Sequence, residues 1–138
     1  MNIERLSFLT NEIKEALKIS LDGNENFFED EIEKNISELW NINHGESFCI
    51  SRIEKEDDNI ILVLCCFAGK NLDGFAQHVM KIADKNSWCI RVHTKNRALV
   101  RWYLRRYNFN LHEYVLIREP KKWVVDQDRA LLAVKHLT

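Results

Sequence analysis

The sequence predicts one mixed α/β (α+β) domain, a central sheet with helices on both faces. Three observations lead there. From Asn59 to Phe109 the chain reads as strand, glycine-bearing turn, amphipathic helix, strand and arginine-rich helix. Ile60 to Ala68 is a continuous apolar run bounded by turn residues, the pattern of a central strand covered on both sides. Leu72, Phe75, Ala76, Val79, Met80 and Ala83 recur at i, i+3, i+4, i+7, i+8 and i+11, with Asp73, Gln77, Lys81 and Asp84 opposite.

The elements follow in order. Ile3 to Ser7 forms a short strand. A helix begins at about Thr10, with Leu9, Ile13, Ala16, Leu17 and Leu21 at helical spacing, Thr10 or Asn11 as cap and Asp22-Gly23 as stop. The apolar stripe Phe28, Ile32, Ile36, Leu39 and Trp40 predicts a second helix over about Asn26 to Trp40, ended by Asn43-His44-Gly45. Ser47 to Ile53 alternates as a half-buried strand, and Lys55 to Asn59 has the composition of a hairpin turn into the central strand. Asn71 caps the helix from Leu72 to about Lys85. Asn86-Ser87 then breaks to a strand, Trp88 to Thr94, parallel to the central one as a short strand–helix–strand crossover requires. A last helix covers about Arg97 to Tyr107, capped by Thr94 or Asn96. Leu111 to Glu119 is a further strand, stopped by Pro120, and Asp128 to Leu137 is a short helix apolar almost all round. The domain is therefore placed at 1–120, with 121–138 a C-terminal extension. That terminal helix needs cover, from its own domain or from another subunit or a target protein.

Composition narrows the function classes. At 138 residues, 46% hydrophobic and 30% charged, the chain can bury a single core. A net charge of −1 gives no global attraction to nucleic acid or anionic membrane. The longest apolar run is too short to span a bilayer, and the first residues lack a signal peptide's apolar core, so the expected location is the cytoplasm. The four cysteines sit in apolar runs with no CxxC pair, which favours core packing over a metal or a nucleophile at Cys65, Cys66 or Cys89. Trp40, Trp88 and Trp102 are expected to pack in or beside the core. His93 and His112 have no partner constellation legible from spacing, so edge positions are expected for both.

One surface feature stands out. Arg91, His93, Lys95, Arg97, Arg101, Arg105 and Arg106 form a basic cluster, and Arg97, Arg101 and Arg105 fall at i, i+4 and i+8 beside Trp102 and Tyr103. This is either a solvated helix face or a contact surface for an acidic protein or for the phosphates of a cofactor or of nucleic acid; the last is disfavoured because no base-reading motif accompanies it.

Taken with the segment IADKNSWCIRVHT and the following NRALVRWYLRRYNFNLHEYVLI, the element order resembles the GCN5-related N-acetyltransferase (GNAT) superfamily, in particular small divergent bacteriophage members. The likeness extends to about Glu119 and implies a largely antiparallel mixed sheet. Asn96 takes the place of the family's asparagine, and Asn108-Phe109 replaces Gly-Phe, with asparagine tolerating a left-handed backbone. The resemblance places an acyl-CoA pyrophosphate at Gly69, Lys70, Asn71, Leu72, Asp73 and Gly74, against the N-terminus of a helix. Here Asp73 puts negative charge where the phosphate would lie. The family's proton-donating tyrosine falls on Leu104, leaving Tyr103 one step away as the catalytic candidate, and the central strand carries no acid. The resemblance thus implies a scaffold with eroded acetyl-CoA and catalytic motifs. For such a chain the resemblance implies a phage-encoded interaction or inhibitor protein acting on a host protein, contacting it through Arg97, Arg101, Arg105 and Arg106 or through the C-terminal helix, which would also serve a homo-oligomer. The alternative is an active N-acyltransferase carrying acetyl groups from acetyl-CoA to an amine.

Overall fold

The computed structural model describes residues 1–94 and 97–111. Its elements are β1 (Ile3–Leu6), α1 (Asn11–Ala16), α2 (Lys18–Leu21), α3 (Glu25–Glu33), β2 (Ser37–Ile42), β3 (Ser47–Glu56), β4 (Asn59–Gly69), α4 (Leu72–Asn86), β5 (Cys89–Val92) and α5 (Arg97–Arg106). The chain divides into two compact units, Met1–Arg97 and Ala98–Thr138. The strand expected after residue 111, the boundary expected near residue 120 and the expected C-terminal helix all fall outside the described residues.

The first unit is built on a sheet in the order β1-β2-β3-β4-β5. The first three pairings are antiparallel and β4–β5 is parallel, as the strand–helix–strand order requires. Alternation along each strand divides the apolar side chains between two faces. On one face Leu39, Ile50 and Cys66 meet Ile13, Leu17 and Leu21 from the α1–α2 segment and Ile32 of α3. On the other, Ile42, Cys49 and Leu64 meet Phe75 and Val79 of α4. Leu17, Leu39 and Ile50 are fully buried, each worth about 1.5–3 kcal/mol of transfer free energy. The expected central strand, β4, is interior, flanked by β3 and β5.

Local chemistry sets the ends. Thr10 caps α1 through Oγ1, accepting from the Ile13 N–H at 3.3 Å. The expected single helix is interrupted at Leu17, and Ala16 is exposed rather than on its apolar stripe. Asp22 in the left-handed region and Gly23 at φ 82° stop it as expected. Asn71 caps α4 and Ser87, at φ 57°, closes it.

The main correction concerns Asn26 to Trp40, expected as one helix. α3 stops at Glu33 because Asn35 turns left-handed at φ 58°. The Ile36 N–H then bonds to Glu31 O and the Asn35 N–H to Ile32 O, a Schellman closure. Ser37 onward is strand, in which Leu39 goes to one face while Trp40 and Ile42 go to the other. Ile36, placed on the apolar stripe by spacing, is 50% exposed. Asn43-His44-Gly45, expected to end that helix, turns the β2–β3 hairpin with all three residues at positive φ.

In the second unit Asn108 adopts φ 57°, the left-handed conformation expected of an asparagine in a glycine's place.

Candidate functional site

Two strands diverge in register at the middle of the sheet. Ile50 pairs with Cys66 but Ser51 pairs with Leu64, so Cys65 is the extra residue of a bulge in β4. β5 is paired with β4 only over Ile61–Leu64. From Cys66 to Gly69, β4 is registered with β3 alone among the described residues. Backbone groups on its far side need other partners. The chain supplies one: the Phe67 N–H donates to Ser20 Oγ of α2 at 3.1 Å. The Cys66 thiol lies against the carbonyl of the same residue, with Sγ 3.7 Å from Ser20 O.

β4 leads directly into the segment Gly69 to Gly74, whose residues the fold uses locally. Gly69 sits at φ 125°, and a Cβ there would lie 2.5 Å from Glu46 O and closer still to Ser47 Cβ. Its glycine is therefore required by the close approach of β3. The Lys70 N–H bonds to Glu46 O at 3.3 Å. Asn71, itself left-handed, accepts from the Gly74 N–H through Oδ1 at 3.1 Å. A Cβ on Gly74 would meet the Asn71 amide at 2.6 Å, so that glycine makes room for the cap. Leu72 packs into the α4 face of the core, and Asp73 accepts from Gln77 Nε2 at 3.2 Å. A helix N-terminus favours anions through its unpaired N–H groups and its dipole. Here one such N–H is already taken and a carboxylate occupies the first turn.

The sequence reading missed a charged ladder across the sheet face that α3 covers. Arg52 reaches Glu31 of α3 at 3.0 Å and Glu54 at 2.8 Å. Arg91 of β5 reaches Glu54 at 3.0 Å and Glu56 at 2.8 Å. Ser37 Oγ donates to Glu31 Oε1 at 2.9 Å. Arg91, grouped by sequence with the basic cluster of the following helix, is thus paired with acids of β3. The signal was available: Arg52, Glu54 and Glu56 are two apart on one strand and must share a face.

The half-buried Cys65 adjoins this ladder. Burial pushes its thiol up; Arg52 opposes that, while Glu31 and Glu54 add to it. Burial also pushes Cys66 up to about 11, with Ser20 partly offsetting, and raises Cys49 strongly. These thiols are neutral and poor nucleophiles at physiological pH. Cys89, expected in the core, is exposed at the start of β5. An Ellman titration of native protein at pH 8 should therefore detect Cys89 promptly and Cys49 and Cys66 only after unfolding. Unfolded thiols ionise near 9.0 while Cys66 holds its proton to about 11. The folded state binds more protons in that window, so the contribution of Cys66 to stability is full below about pH 9 and is lost as pH rises toward 11. Among the described residues no group of three or more His, Cys, Asp or Glu side chains is arranged to hold a metal, and no helix is long and apolar enough to cross a membrane.

The other candidates lie on or just before α5, whose first residue, Arg97, ends the first unit and whose remainder belongs to the second. Tyr103 is buried, its ring 5.0 Å from those of Trp102 and Phe109. A proton donor needs access to the reacting group, and this ring lies inside an aromatic cluster that also takes in Tyr107. Leu104 is 37% exposed. Arg101, Arg105 and Arg106 line, with Ala98 and Trp102, an open, shallow surface along one face of α5. Arg97 is exposed in the first turn of the helix, and His93 is exposed before it. Lys95, Asn96 and His112 lie outside the described residues.

No family model matches the chain, and no curated protein matches it. Solved structures do. A crystal structure described as a probable acetyltransferase aligns with a TM-score of 0.55 at 14% identity, over 87% of this chain and 100% of that one. The wild-type TTHA1254 protein of Thermus thermophilus aligns with a TM-score of 0.48 at 16% identity, over 90% of this chain and 100% of its own. At such identities the likeness is one of fold: a mixed α+β, acetyltransferase-like architecture with a mostly antiparallel five-strand sheet and helices on both faces.

Proposed function

We propose that this chain is an acetyltransferase-like scaffold that works by binding another protein rather than by transferring an acyl group. Its resemblance to small bacteriophage members points to a phage-encoded interaction or inhibitor protein acting on a host protein. The observation that carries the reading is the use of backbone donors within the fold. The Phe67 N–H on the open side of β4 is bonded to Ser20, and the Gly74 N–H at the α4 N-terminus is bonded to Asn71. Asp73 adds a carboxylate to the same helix turn. These residues do not fit an acyl-CoA pyrophosphate, which needs exposed N–H groups and no fixed negative charge beside it.

Calorimetric titration of the full chain with acetyl-CoA tests this directly. The expected result is no heat of binding at millimolar ligand. Micromolar affinity would overturn the reading and favour the alternative, an N-acyltransferase acting on an amine. That alternative draws support from the retained loop, Gly69–Gly74, at the start of the long α4, and from the acids Glu31 and Glu54, whose charges act on the thiol of Cys65 in the β4 bulge.

A further inference from the structure

We propose that α5 is a docking surface for an acidic protein segment, with Trp102 as its anchor. The inference rests on the binding-protein reading and names the chemistry of the partner. α5 carries Arg97, Arg101, Arg105 and Arg106 and no acid. Arg105 and Arg106 complement the negative C-terminal end of the helix, but Arg97 lies in the first turn, where a cation is unfavourable. Arg97, Arg101 and Arg105 repeat at i+4, a like-charge arrangement that weakens a helix. Among the described residues no ion pair offsets these three, whereas Arg5, Lys14, Lys34, Arg52 and Arg91 are all paired with acids. An acidic partner would neutralise the stripe.

The anchor is preformed. The Trp102 ring meets Tyr103 and Tyr107 edge-on, each at 5.0 Å, which fixes it before any partner arrives. Ala98, Arg101, Arg105 and Arg106 flank it on the same face of the helix and with it line an open, shallow surface against which an apolar side chain can lie. Tryptophan and arginine dominate the energetics of protein interfaces when grouped in this way. The partner segment is therefore one that presents an apolar side chain flanked by Asp or Glu. A polyanion such as nucleic acid is disfavoured because the whole chain carries −1.

The test is fluorescence anisotropy on the full chain. The probe is a fluorescein-labelled dodecapeptide of Asp and Glu around a central Leu-Phe pair. A peptide of the same charge without the apolar pair and an oligothymidylate of equal length serve as comparisons. Saturable binding of the first peptide is expected, weakened tenfold or more both by removal of its apolar pair and by the double variant Arg101→Glu/Arg105→Glu. The neutral double variant Arg101→Gln/Arg105→Gln should show an intermediate loss, and circular dichroism should show both variants folded. No binding at millimolar peptide, affinity unchanged by charge reversal, or tighter binding of the oligothymidylate would each overturn the proposal. The acetyl-CoA titration separates the two inferences: a chain that binds both acetyl-CoA and the peptide keeps the docking surface and loses the non-enzymatic reading. One that binds neither keeps the non-enzymatic reading and loses the docking surface.

Discussion

Replacing Gly69 by alanine will destabilise the first unit by about 2–5 kcal/mol, the sum of a strained backbone and an overpacked contact. At φ 125° the backbone lies where side-chain-bearing residues rarely go. A Cβ would also press on Glu46 O and Ser47, and β3 cannot retreat there without breaking its ladder to β2, where Ser47 pairs with Ile42. Gly45 is the internal control. It too has positive φ, at 88°, but nothing lies within 4 Å of its Cβ position, so its alanine variant should lose about 1 kcal/mol. Urea unfolding of the two variants makes the comparison, since the midpoint shifts with stability at unchanged slope. Equal losses at the two positions would mean that β3 does not hold Gly69, and would return this glycine to the list of ligand-binding candidates.

That experiment bears on what a sequence can show. A glycine that lets a phosphate approach bare backbone and a glycine that lets a neighbouring strand approach look alike in the chain, because both are defined by what is absent. Only the position of Ser47 and Glu46 separates the two meanings. β3, β5 and α4 were legible because their apolar residues repeat with a single period, and β4 because its apolar run is unbroken. The region of α3 and β2 was not. Ile32, Ile36 and Trp40 repeat at helical spacing by coincidence, across a closure made by one asparagine in a left-handed conformation. Residues of this kind compete weakly in any propensity sum, yet they redirect the chain when tertiary packing rewards the turn. Asn108, by contrast, was legible because the resemblance said where a glycine-like backbone was needed. Contacts of the candidate site were least legible where they join residues far apart in sequence. Ser20 and Phe67 are separated by 47 positions, and Arg52 and Glu31 by 21.

Truncating Arg52 to alanine will cost about 2–4 kcal/mol, somewhat less than the loss of a partner from a fully buried pair. The guanidinium retains 25% of its exposure, Glu54 30% and Glu31 only 12%, so Glu31 bears most of the penalty. Without Arg52 its charge keeps the Ser37 hydroxyl, which is too little for a carboxylate held against the sheet. The pair of Lys34 with Asp30 supplies a contrast. Both side chains are more than half exposed, and its loss should cost under about 0.5 kcal/mol. A double-mutant cycle of Arg52→Ala with Glu31→Gln, followed by urea unfolding, should give a coupling of about 1–3 kcal/mol. Additive losses would show that the two groups do not act on each other. Cys65 gives an independent readout of the same field. Arg52 opposes the rise of its thiol while Glu54 adds to it, so Arg52→Met should slow alkylation of Cys65 at fixed pH and Glu54→Gln should speed it. The reverse order would mean that the ladder does not reach the bulge of β4.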